Sequence, residues 1–282
     1  PPPLTIAFGT VSLVYFASAA LFRSPDWIYA GLFTAHMTVL AYFTINPSGG
    51  PLRYITIPFL VMTWLTSLIG YAFERKTYPV ATADGQSAYR FSILEHLFGH
   101  PWARPFFAFA LFETVVWQAL ALTGTDTTLI VASGYAVLFA LFSILWQEQP
   151  LVYGAVGFSL LAAGASLKQA GVGFEAGVAV FGGLGFGLYF VGRSLDWLSS
   201  RMKALSVWPR PLTFSSIAIT GVAAIIDLFT LRNSMTSSAI ALAFAGALYV
   251  AIAYRGRYYR LGYLGMALLE AAWVILLIVN DV

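Results

Sequence analysis

The chain has no cysteine and very little charge. The first absence excludes disulfides, thiolate metal sites, iron–sulfur clusters and a cysteine nucleophile. The second sets the class. Only 10% of the 282 residues are charged and 59% are hydrophobic, whereas a soluble domain carries about a quarter charged residues. So few charges do not cover a water-facing surface. Also missing are an initiator Met and a basic stretch ahead of the opening "PPPLTIAFG", so the start does not read as a simple signal peptide.

What is present is a series of apolar runs, each near the roughly 20 residues that a helix needs to cross the hydrocarbon core. They lie at roughly 4–22, 27–45, 55–73, 105–123, 127–146, 151–168, 174–192, 211–231, 237–254 and 261–279. A transmembrane β-barrel would instead show short segments of alternating hydrophobicity. The fold class expected is an all-α integral membrane protein of about ten transmembrane helices with short loops.

Loop charge gives an orientation. Of the 15 basic residues, all but Arg53, Lys168 and Arg232 fall in the connections after the first, third, fifth, seventh and ninth runs. The positive-inside rule puts these connections in the cytoplasm and both ends of this chain in the periplasm or exterior. The localisation expected is the cytoplasmic (inner) membrane of a bacterium. Two cytoplasmic connections carry apolar residues at helical spacing: Phe91, Leu94, Leu97 and Phe98 within 86–98, and Leu195, Leu198, Met202 and Leu205 within 194–206. Both are expected to be amphipathic helices lying in the interface, the alternative being an extension of the preceding span.

Trp-x-Arg-Pro follows each of these connections, as Trp102, Arg104 and Pro105 and as Trp208, Arg210 and Pro211. The pattern suits a helix start: an aromatic anchor, a cytoplasmic cation, and a proline in the first turn, where a missing N–H does no harm. Further on, Gly154, Gly157, Leu160, Leu161 and Ala163 align with Gly262, Gly265, Leu268, Leu269 and Ala271, and Gly31 fits more weakly. Together these suggest repeated four-helix units. In that register 1–73 holds the last three helices of one unit and 74–104 is a cytoplasmic connection. A complete unit occupies 105–192, and 193–210 is the next connection. The first three helices of a further unit fill 211–282. The register also suggests that the chain is part of a longer polytopic protein.

Ionisable residues inside a span are costly and raise a functional question by default. His36, Glu113, Asp227 and Glu270 are such residues, with Gln118 as a further polar candidate. A paired or protonated carboxyl that ties helices together is the plainest role for the acids, and a proton or solute pathway is the alternative. His36 is the only intramembrane histidine. It could act as a single axial ligand to haem or chlorophyll, but a bis-histidine haem is excluded. Glu95, His96 and His100 in "EHLFGH" are weak metal candidates, because Gly99 and Pro101 should stop the helix before His100. "GGLGFG" at 182–187 lies inside an apolar span and lacks the context of a phosphate loop. Gly183 with Gly187, and Gly173 with Gly177, have the spacing of helix-packing pairs. Asp26 suits the end of a helix. Arg255, Arg257 and Arg260, interleaved with Tyr254, Tyr258 and Tyr259, suit orientation and anionic lipid rather than nucleic acid.

No nucleophile triad, Walker motif or acidic pair at a membrane face stands out. The function these features favour is a non-enzymatic scaffold or accessory subunit of a larger membrane assembly, in contact with the lipid bilayer and other membrane subunits, with no cofactor. The alternatives are a transporter of a solute or lipid-linked molecule, and a redox or pigment-binding subunit using His36.

Overall fold

The computed structural model describes residues 2–45, 52–77, 99–230, 234–256 and 259–280. These form ten α-helices and two short 3-10 turns, and no strand occurs among the described residues. The helices are α1 (Pro2–Phe22), α2 (Asp26–Ile45), α3 (Thr56–Thr77), α4 (Arg104–Ala121) and α5 (Thr125–Trp146). They continue with α6 (Gln149–Gln169), α7 (Phe174–Ser199), α8 (Pro209–Thr230), α9 (Met235–Gly256) and α10 (Tyr259–Val279). Each coincides with one apolar run. The turns are Leu52–Ile55 and Lys203–Leu205.

Local chemistry sets the helix ends. α1 stops at Arg23, whose φ of 51° takes the chain out of the helix. α2 then opens with Asp26 in its first turn, where a negative charge meets the positive end of the helix dipole. α6 ends in a left-handed glycine, Gly171 at φ 72°. Val172 N–H donates to Leu167 O (3.0 Å) and Gly171 N–H to Lys168 O (3.1 Å), so the last turn's carbonyls are satisfied. Between α5 and α6, Gln147 at φ 59° donates its side-chain amide to Ile144 O (2.7 Å) and Ala204 O (3.1 Å).

Eight of the ten helices are long and apolar enough to cross a membrane. The two outside that group are α2 and α4, which carry His36 and Glu113. Several buried hydroxyls bond their own helix backbones, as expected where no water can serve them. Thr114 donates to Ala110 O at 2.8 Å and Thr220 to Ser216 O at 2.8 Å. The chain is a multi-pass, all-helical membrane protein.

It divides into two compact units, 1–138 and 139–282. In the first, Ala19, Ile28, Leu32 and Phe106 form a buried cluster against which Phe16, Trp102 and Phe109 pack. Tyr54 donates a hydrogen bond to Asp126 at 2.6 Å. In the second, Val152, Val156, Val207 and Leu212 form one cluster, with Trp208 packed on it. Ala224, Leu242, Ala245 and Ala272 form another. α9 and α10 approach backbone to backbone. A Cβ built on Gly265 would stand 2.8 Å from Gly246 O, and one on Gly246 would stand 2.8 Å from Gly265 O. Here two helix backbones touch, and only glycine fits on either side.

Two expectations change. Residues 194–199 do not form a separate interfacial helix; they continue α7 to Ser199, and a 3-10 turn follows. The ion pair Arg193–Asp196 (3.2 Å) and the Arg201 guanidinium over the Trp197 ring (4.9 Å) give this polar end side-chain support. The other expected interfacial helix, 86–98, lies outside the described residues. The second change is the packing register of the glycine-rich α7. Gly187 and Gly177 face open space, and Gly183 meets the Phe244 side chain. The glycines turned into helix contacts are Gly182 toward Ala241, Gly185 toward Thr220 and Ile219, and Gly192 toward Leu212.

Candidate functional site

The first unit holds a buried polar pair. α2 presents His36 and α4 presents Glu113, and imidazole Nε2 lies against carboxyl Oε1. Their relative exposures are 6% and 1%, so both groups have lost water. The other ring nitrogen, Nδ1, is 2.5 Å from the Leu32 carbonyl, one turn back on α2. A carbonyl only accepts, so Nδ1 carries a hydrogen and donates. Nε2 is then the atom that shares a proton with Glu113. The pair holds that proton either as imidazole with carboxylic acid or as imidazolium with carboxylate. In both states it is neutral overall, which is the form a low-dielectric interior tolerates.

Aromatic rings enclose it. Phe59 of α3 stacks on His36 with centroids 5.7 Å apart, and Phe109 of α4 lies at 5.3 Å. Trp117 stacks on Phe59 at 3.9 Å. On the polar side, the hydroxyls of Thr63 and Thr66 flank the carboxyl. Each also donates within its own helix, Thr63 to Phe59 O (2.9 Å) and Thr66 to Met62 O (2.9 Å). Tyr135 of α5, fully buried, reaches the Glu113 backbone carbonyl and Thr63 Oγ1, both at 3.4 Å. Four helices therefore contribute to one cluster. Thr63, Thr66 and Tyr135 were not singled out from the sequence, because hydroxyls in apolar runs are common and no spacing joins them to Glu113.

The remaining candidates are placed apart. Gln118 is buried, and its amide has no hydrogen-bond partner among the described residues. Asp227, near the end of α8, is fully buried, with the Ser238 hydroxyl beside its carboxyl and no cation paired to it among the described residues. Beside it, Ser238 in the first turn of α9 donates to Asp227 O (3.2 Å) and Ser234 O (3.0 Å). Glu270, midway along α10, is exposed. His100 is buried and receives the Ala103 N–H on Nδ1 at 3.2 Å. Its carbonyl accepts the N–H groups of Ala103 (3.1 Å) and Arg104 (2.9 Å), so it caps the start of α4. Glu95 and His96 lie outside the described residues. No group of three metal-ligating side chains occurs among the described residues.

Both Trp-x-Arg-Pro copies stand at helix starts. Pro105 and Pro211 are buried in the first turns of α4 and α8. Arg104 Nε donates to the Tyr29 hydroxyl at 3.2 Å, while Arg210 is exposed. The tryptophans turn inward. Trp102 packs on the cluster containing Ile28 and Leu32 of α2, and Trp208 on the cluster containing Val152 and Val156 of α6.

Fold and site together define a multi-pass helical membrane protein with a buried His–Glu pair. Set against known proteins, the chain matches no protein-family model, no curated protein and no solved structure.

Proposed function

We propose that this protein is a non-enzymatic scaffold or accessory subunit of a larger membrane assembly. The observation that carries this reading is the enclosure of the His36–Glu113 pair. The most buried acid among the described residues of the first unit is paired with a base from another helix under aromatic rings, an arrangement that ties α2 to α4. His36 has both nitrogens engaged, which leaves no lone pair for a haem or chlorophyll metal. The chain is taken to lie in the inner membrane, with its odd-numbered connections cytoplasmic. The inward Trp102 and Trp208 occupy corresponding places in the proposed four-helix units, each lying against the helix two before its own.

A transporter is the second reading, and Asp227 favours it, since its carboxyl is fully buried with no cation paired to it among the described residues. Proton and sodium flux into vesicles reconstituted with the chain separates the two. The scaffold reading predicts flux equal to that of empty vesicles. Flux that Asp227→Asn abolishes would establish the transporter instead.

A further inference from the structure

α10 has two faces. One packs against α9 through Gly265, Leu268, Ala272 and Ile275. The other runs through Tyr263 (77% exposed), Met266, Glu270, Trp273 (64% exposed) and Val274, at the three- and four-residue steps of a single helical stripe. Glu270 sits at its centre and has no hydrogen bond or ion pair among the described residues. From the middle of a 21-residue helix, each end is about 15 Å away at 1.5 Å per residue. A glutamate side chain is too short to bring its carboxyl to the interface, as lysine or arginine near a helix end does. A carboxylate held against lipid tails there costs at least about 2.5 kcal/mol. A partner in the plane of the membrane removes that cost.

Charge complementarity says what the partner carries. No described helix of this chain places a Lys or Arg near its midpoint, so a second copy offers Glu270 no cation at the same depth. We propose that the outward face of α10, centred on Glu270, docks a transmembrane helix of another subunit that presents a lysine or arginine at mid-bilayer depth. Tyr263 and Trp273 flank the carboxyl and would supply the apolar contact on either side. This inference rests on the scaffold reading and names the chemistry of the neighbour.

The test uses the full chain, donor-labelled in bilayers, with acceptor-labelled Leu/Ala host peptides of roughly 20 residues. One peptide carries a central Lys and the other a central Leu. Energy transfer should show the Lys peptide binding about tenfold more tightly than the Leu peptide, in line with polar contacts between membrane helices. Glu270→Leu, which leaves the packed face of α10 untouched, should remove the difference. Equal binding of the two peptides, or a Lys preference that survives Glu270→Leu, would overturn the proposal. So would energy transfer between copies of the chain that Glu270→Leu abolishes, because the occupant would then be a second copy. Failure of the scaffold reading looks different: the Lys preference would hold while the chain extracted from its own membrane came out alone.

Discussion

His36 Nε2 is held against the Glu113 carboxyl while its Nδ1 is held against the Leu32 carbonyl. The ring is thereby fixed at both ends, and α2 and α4 are joined through a single shared proton. Removing one partner strands the other in a dry site. Glu113→Leu and His36→Leu should each destabilise the chain by about 3 kcal/mol. The double variant should recover most of that loss, because it strands nothing. Unfolding of the four proteins in one detergent gives the coupling directly, and simple additivity would show that the pair is not a unit.

The same geometry bears on cofactors. With neither ring nitrogen free, the purified protein should show no Soret or chlorophyll band. A band that His36→Leu abolishes would mean that the imidazole leaves Glu113 to bind a metal.

Gly246 and Gly265 mark where α9 and α10 touch through their backbones. Gly265→Ala would set a methyl 2.8 Å from Gly246 O, and neither backbone yields easily. We expect a loss of about 1–3 kcal/mol, the usual cost of overpacking. Gly187→Ala is the control. A Cβ there meets nothing within 4 Å, so the change should be neutral or stabilising by up to about 1 kcal/mol through helix propensity. Thermal denaturation of both variants checks the contrast.

The absence of cysteine makes the topology easy to test. Thr123 and Ser200 are exposed, in connections predicted to lie on opposite sides. Thr123→Cys should react with a membrane-impermeant maleimide added outside intact cells, and Ser200→Cys only after the membrane is opened. The reverse pattern would invert the orientation drawn from the basic residues.

The helices were legible because each needs a long apolar run and few connections leave room for anything else. Prolines and Trp-x-Arg-Pro even placed the starts of α4 and α8. Which side chains meet was far less legible. His36 and Glu113 stand out one by one as costly residues, but no spacing rule pairs residues on α2 and α4; the tertiary packing does. The glycines of α7 show a related limit. Spacing identified Gly183 and Gly187 as a packing pair, yet the face buried is that of Gly182, Gly185 and Gly192. A glycine-rich helix offers more than one small stripe, and the neighbours select among them. α7 likewise runs past its apolar run to Ser199, through polar residues after Val191 that resemble an interfacial segment.

The scaffold assignment is tested most directly by the mass and composition of the species released from the native membrane in a mild detergent or in lipid discs. An assembly containing this protein together with other membrane polypeptides in fixed ratio is expected. A homogeneous lone chain, stable and without partners under those conditions, would contradict it.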